Sequence, residues 1–269
     1  MSAQRIGATF IGVAAIVVCG SPPMLHAKAE RLALHVARSA RLSAERYARS
    51  PERLALQEKR TANTVTPEEK ADGWRLLFDG ATTNGWRGYR RETIPDGWKA
   101  VDGALTRIGA GGDIVTVDEF DDFELTLQWK VAANGNSGVF YRVVELDDVM
   151  WHNAPEYQII DNGYSEPLKP AQHAGANYDL DPPSRDATRP IGTWNDTRLV
   201  VNGPHVEHWL NGVKVVEYEL WTDAWQRRVA ASKFKDFAGY GRARRGHIGV
   251  QDHGDRVAFR DIKLRQIRR

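Results

Sequence analysis

One cysteine, Cys19, stands among the 269 residues, so no disulfide can close within the chain. Long apolar runs are almost as scarce. Residues 6–19 form the one sustained stretch, shorter than the ~20 residues a helix needs to cross a bilayer, and no second follows. No stable membrane span is therefore expected in the mature protein. The chain also lacks HExxH and His-x-x-x-His metal patterns, a GxGxxG or P-loop phosphate cradle, and a Gly-x-Ser-x-Gly nucleophile elbow. Excess positive charge is confined to the start: residues 1–60 hold 10 Lys/Arg against 4 Asp/Glu, and the remainder 27 against 31. A mildly acidic main domain does not suit a phosphate-binding groove, and a nucleic-acid partner is not expected.

What is present divides the chain in three. Arg5, the apolar run, Ser21-Pro22-Pro23 and the small-x-small triplet Ala27-Lys28-Ala29 have the layout of a secretory signal peptide over residues 1–29. An exported protein, periplasmic or secreted, is the expectation. A lipid-attached Cys19 would call for a small residue before it, where the chain has Val18. Residues 30–60 contain no glycine, and Leu32, Val36, Ala40, Ala44 and Tyr47 recur near helical spacing. This predicts a basic helical segment, interrupted at Ser50-Pro51 and running as linker to residue 65. It reads as a solvated spacer, with a partner-binding or membrane-surface helix as the alternative.

At Thr66-Pro67-Glu68-Glu69, a cap, a proline and a capping-box glutamate, the character changes, and beyond Gly73 the chain becomes strand-like. Strands are predicted over 75–78, 98–101, 104–107, 114–117, 123–131, 138–144, 156–160, 197–202, 205–210, 213–217, 247–251 and 257–264. The dipeptides Asp102-Gly103, Asn202-Gly203 and Asn211-Gly212 mark tight turns. In 123–129 every odd position is large and apolar while Glu124, Thr126 and Gln128 face the other way, as in antiparallel strands with one wet face. Many short strands and almost no helix predict an all-β, two-sheet antiparallel jelly-roll sandwich over residues 66–269, preceded by a short N-terminal helical segment.

Polar groups gather opposite the apolar faces. Arg142, Glu156, Gln158, Gln251 and His253 make a set of mixed donors and acceptors suited to a polyol, with Trp and Tyr as walls for sugar rings. Trp129 and Trp74 read as core, whereas Trp151 and Trp194 lie beside polar loop residues and are candidates for the site. Bland readings stand beside these. His208 shares a face with Val206 and Leu210 and can be a packed core histidine; Lys233 can be a surface lysine; Arg142 and Glu156 can form a structural ion pair. Asp147, Asp148, Asp179 and Asp181 could hold calcium or simply form turns.

Nine short motifs in order then carry a resemblance. Leu77-Phe-Asp-Gly80 with Gly85-Trp86, Asn136-Ser-Gly-Val-Phe-Tyr-Arg142, Glu156-Tyr-Gln158 with Asp161-Asn162, Ala174-Gly-Ala-Asn-Tyr178, Trp194-Asn195, Leu210-Asn-Gly212, Ser232-Lys-Phe234, Gly249-Val-Gln-Asp-His-Gly254 and Phe259-Arg260 are similar to the 3-keto-disaccharide hydrolase family over roughly residues 73–267. The resemblance implies a concanavalin-like or laminin-G-like jelly roll acting on sugars oxidised at ring carbon 3. It lends Arg142, Glu156, Gln158, Asp161, Asn195, Lys233, Gln251 and His253 a shared role at the concave face. Asn136, Tyr178 and Trp194 join the substrate-binding set. Where the family commonly has leucine or isoleucine, this chain has Asn177.

A ketone at carbon 3 acidifies the hydrogen on carbon 2 and makes the glycosidic oxygen a β-leaving group. Elimination followed by water addition needs a base, a cation for the enediolate and an acid. The expected base is His253 or Glu156, the cation Arg142 or Lys233, and the acid His208 or whichever of the first pair is not the base. A divalent ion could replace the cationic side chain; no cofactor is otherwise implied. A retaining two-carboxylate glycosidase is disfavoured, because Glu156 and Asp161 are five positions apart and so on opposite faces of a regular strand. A sugar-binding module or an envelope adaptor are the non-catalytic alternatives.

Overall fold

The computed structural model describes residues 62–267. The leader and the basic helix expected before them lie outside the described residues. The domain opens with helix α1 (Pro67–Ala71), where Thr66 and Glu69 form the reciprocal capping box. Thirteen strands follow: β1 (Arg75–Leu76), β2 (Trp86–Gly88), β3 (Trp98–Val101), β4 (Ala104–Arg107), β5 (Ile114–Phe120), β6 (Phe123–Val131), β7 (Asn136–Val143), β8 (Glu156–Ile160), β9 (Asn195–Asn202), β10 (His205–Leu210), β11 (Val213–Glu219), β12 (Gly246–Val250) and β13 (Val257–Gln266). All the pairings are antiparallel. The larger sheet runs β11-β10-β9-β6-β13-β4-β3, with β1 sharing an edge of β13, and the smaller runs β2-β5-β12-β7-β8. The fold is thus a jelly-roll-like sandwich, as the alternation and turns predict. Asp102-Gly103 and Asn211-Gly212 both have positive φ at each residue, the backbone that matches strand twist in a two-residue hairpin.

Between the sheets lies the main core. Trp98, Leu125, Trp129, Leu199 and Phe259 of the larger sheet meet Ile114, Tyr141, Tyr157, Ile159 and Ile248 of the smaller. Each such side chain contributes roughly 1.5–3 kcal/mol by leaving water. The smaller sheet is buried on its other face too. Tyr89, Val115, Phe140, Val143, Met150 and Ala154 make a second apolar cluster there, with Trp151 packed against it. Gly249 is needed under this cover, since a Cβ would drive into Met150 Sδ.

Two features escape the periodicity. Strand β2 is only three residues long. Helix α2 (Asp223–Ala230), capped by Thr222, inserts before β12 and buries Trp225. From Tyr218 through Trp225 and Tyr240 to Phe234 the rings stack with centroids 5.4, 6.1 and 3.9 Å apart. This pile fixes the turn that follows α2.

Arg142 closes a different part of the sandwich. Its guanidinium is buried, pairs with Asp122 at 3.0 Å and donates to the Gly203 and Asp121 carbonyls at 2.9 and 3.1 Å. Asp122 also accepts the Gly203 N–H at 2.7 Å. The expected role of Arg142 at the sugar site is therefore corrected: its donors are spent on the β5–β6 turn and the Asn202-Gly203 turn.

Candidate active site

Register brings a polar row onto the outer face of the smaller sheet. Val250 pairs with Ile114, so Gln251 follows opposite Asp113; the Gln251 N–H donates to the Gly138 carbonyl at 3.0 Å; and Gly138 pairs with Gln158. Side chains alternate along a strand, so Asp113, Gln251 and Gln158 share the face that carries Val115 and Phe140, away from the main core. Glu156, paired with Phe140, stands on this face as well. Its carboxyl leans over Gly138, where a Cβ would collide with Oε1. Only glycine leaves that space.

Glu156 is 4% exposed, and no side-chain hydrogen bond satisfies its carboxyl among the described residues. Burial pushes its pKa up to about 8; Lys233 pulls it down and Asp113 raises it further. At neutral pH it is an acid with a proton to give. Gln158 is equally buried; its Oε1 accepts the Ile159 N–H at 3.0 Å, which leaves Nε2 for a ligand. Asn136, at the head of β7, keeps a buried Oδ1 without a partner.

The other wall comes from loops. Ser232 caps the 3-10 turn Lys233–Asp236, accepting the Phe234 N–H at 3.1 Å, and Phe234 anchors it in the aromatic pile. Lys233 is exposed, and its Nζ sits 4.1 Å from the Tyr178 ring centroid and 5.1 Å from that of Trp151. Burial lowers the Lys233 pKa while Glu156 opposes the shift. Tyr178 reaches the site because residues 175–178 run along the free edge of β8: the Tyr178 N–H donates to the Glu156 carbonyl at 3.1 Å. Asn177, the departure from the family pattern, holds this strip in place through Asp181 at 2.8 Å, and Asp181 in turn binds Arg228 of α2 at 2.6 Å. Trp151 and His152 complete the wall, with His152 stacked on Phe237 at 3.9 Å.

Other expected members lie elsewhere. His208 is fully buried in the core; its Nδ1 contacts the Gly175 carbonyl at 3.0 Å, and burial lowers its pKa to about 4. It is neutral at physiological pH and has no path to a leaving oxygen, so the packed-histidine reading holds. Trp194 lies on the outer face of the larger sheet, flanked by Arg260 and Lys130 at 4.2 and 4.7 Å. Asn195 spends its Oδ1 on the Arg189 N–H and on Asn211 Nδ2. Asp161 caps its own turn, accepting the Gly163 and Asn134 N–H groups at 2.8 and 3.0 Å. Asp161 and Asn195 line a cavity of about 450 Å³ at the sandwich edge, roofed by residues 186–193 and remote from Glu156. His253, by contrast, is exposed in the loop after β12, next in sequence to Asp252, whose N–H binds Asp113.

Asp113 is the site residue that the motifs do not reveal. It follows Gly111-Gly112 with no pattern to distinguish it from a turn former. Burial pushes its pKa up to about 6; the Asp252 N–H opposes the shift and the Asp252 charge adds to it. Among the described residues, the group whose ligand atoms converge as for a metal is His205, Glu207 and Glu217. It lies on the larger sheet and is already bridged by Lys214.

A sheet face with a neutral carboxylic acid, an ammonium set against aromatic rings and free amide donors is suited to acid-base work on a sugar. The family model of the 3-keto-alpha-glucoside-1,2-lyase-like domain matches residues 73–265. The chain belongs to this family. A 3-keto-disaccharide hydrolase of Bacteroides thetaiotaomicron is 35% identical to this lyase-like chain over a 229-residue alignment covering 72% of this chain and 79% of that one. A candidate glycosyl hydrolase of Parabacteroides distasonis, solved by crystallography, is 33% identical with a TM-score of 0.73, covering 77% of this chain and all of that one. A second from the same organism is 27% identical with a TM-score of 0.59, over 72% of this chain and 99% of that one. The lyase-like domain is therefore an enzyme of the glycoside hydrolase or lyase kind. No helix among the described residues is long and apolar enough to cross a membrane.

Proposed function

We propose that this enzyme cleaves glycosidic bonds of 3-keto-glucosides or 3-keto-disaccharides by elimination followed by addition of water. The observation that carries the reading is Glu156: a buried carboxyl with no hydrogen-bond partner, held protonated by its surroundings at neutral pH, beside the Lys233 ammonium. Glycosides of ordinary sugars need an oxocarbenium-like transition state and two opposed carboxyl groups. A 3-keto sugar needs a cation for the enediolate oxygen and a neutral acid for the departing oxygen. Lys233 and Glu156 supply those, Gln158 and Gln251 offer donors to ring hydroxyls, and Trp151 and Tyr178 cover the apolar ring faces. Protonated as it is, Glu156 serves as donor rather than base.

The leader-like pattern of residues 5–29 supports work outside the cytoplasm. Sequencing the N-terminus of protein recovered from the periplasm or medium tests this; an intact Met1 would refute it. The chemistry is tested by following aglycone release from a 3-keto-glucoside and its unoxidised parent, each with and without chelator. Release from the keto sugar alone is expected. Loss with chelator would assign the oxyanion to a divalent ion in place of Lys233, and equal release from both sugars would overturn the elimination reading.

A further inference from the structure

We propose that Asp113 is the base that takes the proton from carbon 2, and that Asp252 is the residue that positions it. The inference rests on reading the groove as an elimination site for 3-keto sugars.

Two carboxylates meet at the end of β5, and their bonding separates them. Asp252 is saturated: Arg107 Nε and the Gly254 N–H bind Oδ1, and the Gly111 and Gly112 N–H groups both bind Oδ2 at 2.9 Å. Such a carboxylate stays ionised and immobile. Asp113 accepts the Asp252 N–H on Oδ1 at 2.9 Å, and its second oxygen has no partner among the described residues. Its side chain lies in the row with Gln251 and Gly138. Asp113 directly precedes β5, the Glu156 carboxyl lies over Gly138 on β7, and β12 runs between those strands. Two strand spacings of ~4.8 Å put the Asp113 and Gly138 backbones about 10 Å apart, room for one pyranose ring above Gln251.

The step balances within that frame. The Asp113 carboxylate takes the proton from carbon 2, and the electron pair moves to give an enediolate whose oxygen at carbon 3 faces Lys233. Collapse re-forms the ketone, makes the carbon 1–carbon 2 double bond and breaks the bond from carbon 1 to the glycosidic oxygen, which takes the Glu156 proton. Water then adds hydroxyl to carbon 1 and a proton to carbon 2. The charged groups around Asp113 are Asp252 and, behind it, Arg107; Glu156 from β8, with Lys233 beyond; and the exposed His253 in the β12–β13 loop.

The test is to incubate full-length protein with a 3-keto-glucoside in D2O, reading deuterium incorporation at carbon 2 by NMR separately from aglycone release. Asp113→Asn and Asp113→Ala are expected to slow both by at least about 100-fold, with formate restoring exchange to the alanine variant. Glu156→Gln is expected to keep exchange and lose release. Asp252→Asn removes a negative charge beside Asp113, so the acid limb of its kcat/KM profile moves to lower pH while KM holds. Exchange at the wild-type rate in folded Asp113→Asn, or its loss without formate rescue in Asp113→Ala, would overturn the assignment while leaving the groove as the site. Absence of both exchange and release in the wild type would overturn the site reading along with it.

Discussion

Replacing Glu156 with glutamine separates its charge from its shape, and the expected effect on stability can be worked through. Below pH ~4.5 the carboxyl is protonated in both the folded and the unfolded chain, and burial costs nothing extra. Between 4.5 and about 8 the unfolded chain releases the proton while the folded protein keeps it, so stability falls as pH rises. Above about 8 both forms are ionised and the loss is complete. At about 1.4 kcal/mol per pH unit the ceiling is roughly 5 kcal/mol. Glutamine fills the same space over Gly138 and does not titrate, so Glu156→Gln should match the wild type near pH 4.5 and exceed it by a growing margin up to pH 8. Lys233 and Asp113 are present in both proteins, and their own contributions largely cancel. Urea unfolding at pH 5, 7 and 9, with equal slopes required, measures the margin. Turnover of the variant should meanwhile fall by about 100-fold to 10,000-fold, as for the loss of a general acid. A stability margin that stays the same at all three pH values would refute the claim that Glu156 is a neutral acid at pH 7.

Gly138→Ala should fold, displace the Glu156 carboxyl and cut kcat by about 100-fold, because a shift of an ångström at the reacting group suffices; unchanged kcat would show that the close approach is idle. Trp151→Ala should raise KM about tenfold, whereas Trp194→Ala, on the opposite sheet, should leave KM as it is; the reverse order would relocate the site. Arg142→Met deprives Asp122 of its guanidinium and should cost ~3–5 kcal/mol in urea unfolding with KM unaltered in the folded fraction. His208 loses its neutral form only well below its ordinary pKa of 6.5, so its share of stability is full above 6.5 and drains as pH falls through about 4. His208→Phe should flatten that acid limb, and an unchanged limb would place the acid sensitivity elsewhere.

The alternation of 123–131 and the Asp-Gly and Asn-Gly turns were enough to read the sandwich, because period and turn chemistry are local. The short β2 and the helix α2 were not legible: three residues carry no period, and α2 is held by a single buried Trp225 stacked on distant rings. Glu156, Gln158 and Gln251 fall on the outer face of the smaller sheet, with Tyr178 and Lys233 beside them on loops, as one cluster of motif residues. Arg142 has the right chemistry and strand for it. A positive φ of 53° and the pull of Asp122, twenty residues earlier, carry its side chain away, and no one-dimensional pattern reports that. Trp194 and Trp151 look alike beside polar loops, and only sheet pairing tells which face each occupies. Asp113 was invisible because its partner, Asp252, is 139 residues away.

The measurement that tests the central claim most directly is aglycone release by the full-length protein from a 3-keto-glucoside and from its unoxidised parent, with Glu156→Gln assayed alongside. Release from the keto sugar alone, lost in the variant, is the expected result. Cleavage of the parent at a comparable rate, or full activity in Glu156→Gln, would contradict the account.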